Sequence, residues 1–423
     1  RTVYDHFLGK FPLCFGYWKK YADWEQVLVG TAGAEAIYQR GVDAIHNSVD
    51  LWTQYCSFKM ENSPDDLDAV KGLFERAANA VGFDFLSHIF WDKYIEFLES
   101  KEDFAGVMSL LERIIRIPLH QYARYFEKYS QMSVTRPVTE LVSPEEYQQI
   151  EHEIKTAEAP EGESADKDFI TNVRRKIHEL KSEVYLRCQD AVHKRWVYEA
   201  EIKRPYFHVK ALDEAQLANW RKYLDYEEAE GDDIRIRLLF ERCLVASAMY
   251  EEFWQRYADY LISKNDYEAV RNVFTRATTI FIPSSRPQIR LAYAAFEEEH
   301  GRITEARGIL ERILTNVPSH LETTVKLAHF ERRHGDREKV DETFNSSIET
   351  ATDDKSKAFL EAQKAKILFN LDGNIAGART AFKTATEKYP DSKYLFMTYM
   401  VFELSQPGKR KIGQFLRILL RGR

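Results

Sequence analysis

Large apolar residues recur three apart along this chain: Trp18, Tyr21, Trp24; Trp52, Tyr55, Phe58; Trp91, Tyr94, Phe97. The pattern returns as Trp220, Tyr223, Tyr226, then Trp254, Tyr257, Tyr260, and last as Phe396, Tyr399, Phe402. Residues three apart share one face of a helix, so each triplet predicts an apolar stripe on an amphipathic helix. Glu25, Glu227 and Glu403 follow three of these stripes directly. Roughly 15 to 20 residues after a triplet comes a second motif, a large apolar residue, commonly Glu, then Arg. It reads Tyr38-Gln39-Arg40, Phe74-Glu75-Arg76, Leu111-Glu112-Arg113, Phe240-Glu241-Arg242, Phe274-Thr275-Arg276 and Leu310-Glu311-Arg312, with weaker echoes at Phe344 and Phe382. Within each run its apolar members recur every 34 to 38 residues. Two amphipathic helices per such period predict an all-α solenoid of helix-pair repeats. Pro118, Pro283, Pro318 and Pro390 fall after the second helix of a unit, where proline can end a helix without cost.

The rhythm breaks between Leu111 and Phe240. Tyr122 to Tyr129 reads as one more first helix, and beyond it Glu140 to Asp168 carries ten acids against two lysines. That stretch also holds Pro144, Pro160 and Gly162 and few apolar residues, so it is expected to be a mobile surface insertion. From Ser164 to Arg204 there is no Gly or Pro, and Val173, Ile177, Leu180, Val184, Cys188, Val192 and Trp196 keep a helical spacing. The expected organisation is an N-terminal array over 1–130, an acidic insertion over 131–168, a long linking helix over 169–204, a C-terminal array over 205–405 and a basic amphipathic tail over 406–423.

Composition agrees with helix. Gly and Pro number 18 and 12 in 423 residues, against a usual share of about 12% for the pair, which disfavours collagen-like, turn-rich β and Pro-rich disordered classes. With 60 basic and 67 acidic residues the net charge is −7, unlike a chain whose whole surface coats nucleic acid. Cys14, Cys56, Cys188 and Cys243 lie far apart, so no Cys-x-x-Cys pair exists and they read as free thiols of a reducing compartment. No apolar run is long enough to span a membrane, so no membrane partner is expected. No secretory signal is legible at the start, and the first residue is Arg1, so a targeting signal upstream would lie outside this sequence.

Candidate chemistry is sparse. No phosphate loop, Gly-x-Gly-x-x-Gly, Gly-x-Ser-x-Gly or His-Glu-x-x-His is present. The expectation is therefore a non-enzyme with no catalytic, cofactor-binding or metal-binding residues. The aromatic stripes read as inter-helix core and not base-stacking platforms, with Trp18, Tyr21, Trp52, Tyr55, Trp91, Tyr94, Trp220, Tyr223, Trp254 and Tyr257 as the signature. The repeated motif Arg is expected to pair with the motif Glu of a neighbouring helix. Tyr394, Phe396, Met397, Tyr399, Met400 and Phe402 crowd the last triplet helix and are the candidate self-association or partner surface. The tail offers a basic contact at Lys409, Arg410, Lys411, Arg417 and Arg421, beside an apolar face of Ile412, Phe415, Leu416 and Leu419. A closing helix of the last repeat, a protein contact and an RNA or anionic-membrane contact all fit that tail.

The pairing of a Trp-x-x-Tyr-x-x-aromatic helix with an aromatic-Glu-Arg helix resembles the HAT (half-a-tetratricopeptide) repeat of RNA-processing assemblies. More specifically, the run from Phe11 to Asp23, the run Lys203-Arg204-Pro205-Tyr206-Phe207-His208-Val209-Lys210, and Leu239 to Cys243 followed by Tyr250 to Trp254 are similar to the pre-mRNA-processing factor 39 family. The resemblance runs to about Glu403 and leaves Pro407 to Arg423 unaligned. It implies a nuclear splicing scaffold associated with the U1 small nuclear ribonucleoprotein and supporting 5′ splice-site recognition. It also implies pairing through the C-terminal array with a second copy or a paralogous HAT-repeat protein, contact with U1 proteins, and mostly indirect contact with RNA. A HAT-repeat scaffold of the 3′-end cleavage and polyadenylation machinery is the alternative.

Overall fold

The computed structural model describes residues 1–157 and 165–406, and every regular element among them is helical. They divide into two compact units, Arg1–Met249 and the residues from Tyr250 onward. The first unit opens with α1 (Thr2–Lys10) and three antiparallel pairs. These are α2 (Phe15–Leu28) with α3 (Thr31–Ala44), α4 (Val49–Asn62) with α5 (Leu67–Val81), and α6 (His88–Ser100) with α7 (Phe104–Ile114). Then come α8 (Tyr122–Ser133), α9 (Pro144–Ala157) and the long α10 (Ala165–Glu199), followed by the pair α11 (Glu214–Glu230) and α12 (Asp233–Ala246). The second unit holds α13 (Glu251–Ser263) with α14 (Tyr267–Arg276), which runs into a π turn at Ala277–Phe281, and α15 (Gln288–Glu299) with α16 (Ile303–Asn316). It continues with α17 (Leu321–Arg333) and α18 (Arg337–Thr350), α19 (Asp354–Asn370) and α20 (Ile375–Lys388), and ends at α21 (Lys393–Ser405). The all-α, helix-pair solenoid class expected from the period is the class observed.

Local chemistry sets each hairpin. The second helix of a pair repeatedly starts at an Asp or Asn whose side chain accepts from the third backbone N–H onward: Asp66 from Ala69, Asp103 from Gly106, Asp266 from Ala269, Asp336 from Lys339 and Asn374 from Gly377. Such N-caps are worth about 1 kcal/mol each. One residue before such a cap the chain turns through the left-handed region, at Gly231 (φ 83°) and Gly335 (φ 82°) for example, where glycine meets no Cβ penalty. Glu102 (φ 56°) and Asn265 (φ 59°) hold the corresponding turns without that freedom.

Packing between repeats is aromatic. Tyr38 of α3 stacks on Tyr55 of α4 with centroids 5.3 Å apart and planes within 4°, and Phe74 of α5 stacks on Tyr94 of α6 at 4.6 Å. In the second unit Phe274 lies on Tyr293 at 5.1 Å and Phe382 on Tyr399 at 5.2 Å. The second helix of one repeat thus supplies a ring to the first helix of the next, a contact worth about 0.5–1.5 kcal/mol beyond its buried area. All ten signature residues, from Trp18 to Tyr257, are buried. Trp24, third in its triplet, is 57% exposed and lies outside that core.

The acidic stretch differs from expectation. Residues 138–157 are not an irregular loop: a short turn at Val138–Glu140 leads into α9, and Val138, Leu141, Val142 and Ile150 are buried. The acids have partners there, with Glu146 bound to Arg116 (2.6 Å) and to Lys181 of α10 (3.2 Å). Residues 158–164 lie outside the described residues. The linking helix starts earlier and ends earlier than 169–204, at Ala165 and Glu199, after which the chain turns, with Glu201 N–H bonding Tyr198 O and Ile202 N–H bonding Glu199 O, before Pro205. Its buried face departs too: Leu180 and Trp196 are exposed, while Lys181 and Arg195 are 3% exposed and held by carboxylates. The division between compact units falls after Met249 and not after residue 204, so α11 and α12 belong with the first unit.

Candidate partner-binding surfaces

Two polar lattices join acids and arginines in and around the repeat motifs. In the first, the motif acid of one repeat meets the Tyr and the Arg of the next. Glu75 on α5 accepts from Tyr94 Oη (2.7 Å) and Arg113 Nη1 (2.9 Å), and Arg113 lies over the Trp91 ring at 5.4 Å. Glu199 at the end of α10 does the same for Tyr223 (2.8 Å) and Arg242 (2.6 Å). Asp5 on α1 binds Tyr21 (3.2 Å) and Arg40 (2.9 Å), and Gln39 accepts from Arg76 Nη2 (3.1 Å). The expected pairing of motif Arg with a neighbouring motif acid therefore holds at Arg113. Asp5 and Glu199 are participants that the motif search missed. The signal was present: Tyr4-Asp5 precedes Tyr38-Gln39 by one period, and Tyr198 stacks on Tyr223 at 5.0 Å as a motif ring does.

The second lattice uses the Glu that follows the aromatic triplet. Glu25, Glu227, Glu297, Glu331 and Glu403 are all at most 4% exposed. Each is gripped by an Arg, Arg1 just before α1 and Arg195, Arg271, Arg307 and Arg379 on the helix before the acid, with N–O distances of 2.6 to 3.2 Å. Arg307 and Arg379 also lie 5.5 and 5.7 Å over the rings of Phe330 and Phe402, which precede those acids. The side-chain hydrogen bond to Glu403 raises the Arg379 guanidinium further above its usual range, as Glu331 does for Arg307. These arginines are each paired with a buried carboxylate of the repeat stack. Burial likewise pushes the Cys188 thiol up to about 11, away from thiolate chemistry. Among the described residues no group of three or more His, Cys, Asp and Glu could hold a metal ion, and no helix is long and apolar enough to cross a membrane.

The predicted surface on α21 is divided by the fold. Phe396, Tyr399 and Phe402 are at most 9% exposed and pack with Ala362, Ala365 and Phe382 into the core of the last repeat, with Met400 half-buried against them. Tyr394 (40%) and Met397 (61%) remain at the surface, joined by Val401 (63%) and Leu404 (46%), which the triplet pattern did not single out. Tyr394, Met397 and Val401, with Phe369 and Lys366 of α19, border a groove of about 450 Å³. Tyr394 Oη accepts from Gln363 Nε2 at 2.8 Å and Lys366 Nζ at 3.2 Å, which orients one wall. The basic residues Lys409, Arg410, Lys411, Arg417 and Arg421 lie outside the described residues.

Comparison with known proteins adds a family to this geometry. A family model described as PRP39 N-terminal HAT repeat matches residues 1–131, and one described as PRP39 C-terminal HAT repeat matches residues 193–333. Pre-mRNA-processing factor 39 of Schizosaccharomyces pombe is 44% identical over 97% of this chain and 69% of its own length. A Saccharomyces cerevisiae protein named U1 small nuclear ribonucleoprotein component PRP42 is 25% identical over 76% of this chain and 60% of its own. The chain spans about two thirds of the length of the S. pombe, human and Xenopus laevis pre-mRNA-processing factors 39, and less than half of the Arabidopsis thaliana one. Among solved structures, CSTF-77 superposes with a TM-score of 0.60 over 96% of this chain and 80% of that one, at 12% identity, which shows a shared fold and nothing more.

Proposed function

The chain belongs to the PRP39 family of HAT-repeat proteins, and from that premise we propose that it is a non-catalytic scaffold in pre-mRNA splicing, acting through protein contacts within the U1 small nuclear ribonucleoprotein. The observation that carries this is 44% identity to a pre-mRNA-processing factor 39 across almost the whole chain. The likeness to a U1 component of S. cerevisiae supports the choice of particle. The geometry supports the mode of action. Acids and arginines pair with one another between repeats, whereas Tyr394, Met397 and Val401 are exposed on α21. Repeats that contact only their neighbours expose long faces suited to protein partners. Work in the nucleus follows from the role, with 5′ splice-site recognition as the step supported. RNA contact is mostly indirect.

Met397, Val401 and Leu404, with Tyr394, are the face through which the C-terminal array would pair with a second copy or a paralogous HAT-repeat protein. Phe396, Tyr399 and Phe402 support that face from inside. The reading as a 3′-end processing scaffold has only the shared fold with CSTF-77 behind it. Immunoprecipitation of the tagged chain from nuclei, followed by mass spectrometry, tests the choice: enrichment of U1 proteins supports it, and enrichment of cleavage and polyadenylation factors instead refutes it.

A further inference from the structure

Residues 203–210, which the repeat pattern leaves unexplained, form a largely exposed loop between α10 and α11 of the first unit. Lys203 N–H fixes its start by donating to Gln216 Oε1 of α11 (3.0 Å). Arg204 ties its two ends by donating to the carbonyls of Lys210 (2.8 Å) and Ala211 (3.4 Å). Between those ends the Phe207 ring lies 6.0 Å from that of Phe11, at the end of α1. A row of rings continues from there, with Phe11 against Phe7 at 5.3 Å, Phe7 against Tyr17 of α2 at 4.6 Å, and Lys20 Nζ over the Tyr17 ring at 5.1 Å.

The contact between Phe207 and Phe11 brings together two basic segments that lie far apart in sequence. Residues 6–22 hold Lys10, Lys19 and Lys20 and no acid, and residues 202–212 hold Lys203, Arg204 and Lys210 and no acid. In a chain of net charge −7 they form a patch of the opposite sign. Lys19 is paired with Asp23. Lys10, Lys20, Lys203 and Lys210 are exposed, and none of the four makes an ion pair among the described residues. Arg204 has carbonyls and no carboxylate for partners. Apolar surface lies beside these charges, since Tyr17, Tyr206 and Val209 are 45%, 49% and 63% exposed.

Unpaired cations beside open apolar side chains fit either a single-stranded nucleic acid or an acidic protein segment, and the rings separate the two. A nucleic acid needs a succession of open ring faces on which its bases stack. Here Phe7 is tilted against both Phe11 and Tyr17, and Lys20 covers one face of Tyr17, so those faces are taken up by their neighbours. Exposed acids also bound the loop, Glu201 before it and Asp213 after it, where a phosphate chain running on would meet charge of its own sign. We propose that this patch docks an acidic protein segment in which carboxylates alternate with apolar side chains, the carboxylates meeting Lys10, Lys20, Lys203 and Lys210 and the apolar side chains resting on Tyr17, Tyr206 and Val209. The surface goes beyond the splicing role and stands without it.

The test uses the full chain and the fluorescein-labelled peptide Gly-Glu-Leu-Glu-Phe-Glu-Leu-Glu-Gly, with binding read by anisotropy at about 0.15 M salt. One comparison peptide carries glutamine for every glutamate, another serine for every leucine and phenylalanine, and labelled decauridylate stands for RNA. The acidic peptide is expected to bind about tenfold more tightly than its glutamine form, the joint effect of several exposed ion pairs, and more tightly than its serine form. Lys203→Gln together with Lys210→Gln should remove most of the preference for glutamate, whereas Lys355→Gln, at an exposed position of the second unit, should leave it unchanged. Tyr206→Ala should weaken the acidic and glutamine peptides alike and keep their ratio. Equal binding of those two peptides, indifference to the paired lysine changes, an equal loss from Lys355→Gln, or tighter binding of decauridylate than of the acidic peptide would each overturn the proposal.

Discussion

Removing Arg307 should cost more than removing the acid it binds. Arg307 Nε and Nη2 hold both oxygens of Glu331 at 2.6 and 2.9 Å, a bidentate grip between α16 and α17. The two ends differ in exposure: the Glu331 side chain is 2% accessible and that of Arg307 is 24%. Arg307→Met therefore strands a carboxylate with no water to solvate it. Breaking a fully buried pair this way costs about 3–5 kcal/mol, and the partial exposure of Arg307 lowers the figure to about 2–3 kcal/mol. Glu331→Leu instead frees a guanidinium that can swing to solvent, for a loss of about 1 kcal/mol. The double variant, with both charges gone and the apolar volume kept, should recover most of the larger loss. A chain of repeats need not unfold in one step, so urea titration of the full protein should be joined to hydrogen exchange on peptides from α16 and α17. Faster exchange there, greatest for Arg307→Met and small for the double variant, is the expected order. A loss from Glu331→Leu equal to or above that from Arg307→Met, or a double variant worse than either single one, would refute the clamp as a main support of the repeat stack.

Three other outcomes follow from the same geometry. Glu102→Gly should stabilise the first unit by about 1 kcal/mol in thermal melts and Gly335→Ala destabilise the second by a similar amount, since both residues sit in the left-handed region; a fall in stability for Glu102→Gly would show that its side chain matters more than its backbone. Met397→Glu, at a 61% exposed position, should leave the helical circular dichroism unchanged while shifting any dimer seen by light scattering toward monomer; an unaltered dimer would move the pairing surface elsewhere. Glu298 is held below the usual carboxylate range by its hydrogen bond from Arg333, with His334 adding to it. A carboxylate with a lowered folded pKa contributes stability above its unfolded value, near ~4.3, and loses it as pH falls through the folded value. Glu298→Gln should thus lower stability at pH 7 by about 0.5 kcal/mol, discounted for the exposure of Arg333, and make no difference near pH 3; a penalty that persists at pH 3 would point to packing in place of charge.

Helix pairs, their period and their aromatic core were legible because an amphipathic stripe must be buried wherever it occurs, and the stripe repeats. Trp91, Phe74 and Tyr94 behave as their spacing requires. The acidic stretch misled because charge was weighed without its partners: Glu146 is acidic in composition and tethered in the fold, by Arg116 and by a lysine 35 residues further along. Lys181 and Arg195 on α10 misled in the opposite direction, since a charged residue at a buried position declares itself only when its carboxylate, Glu112 or Glu227, is placed in space. On α21 the triplet rule identified the core side of the helix. The exposed side, Met397, Val401 and Leu404, is one step round the helix from it.

The central claim, that this chain joins the U1 particle by protein contacts, is tested most directly by capture on the immobilised full chain. Nuclear extract and the same extract's deproteinised RNA are passed over it at physiological salt, and the retained RNA is sequenced. The account predicts recovery of U1 RNA from the extract and its loss from the deproteinised sample. Retention of naked U1 RNA at that salt, or no U1 RNA from the extract at all, would contradict it.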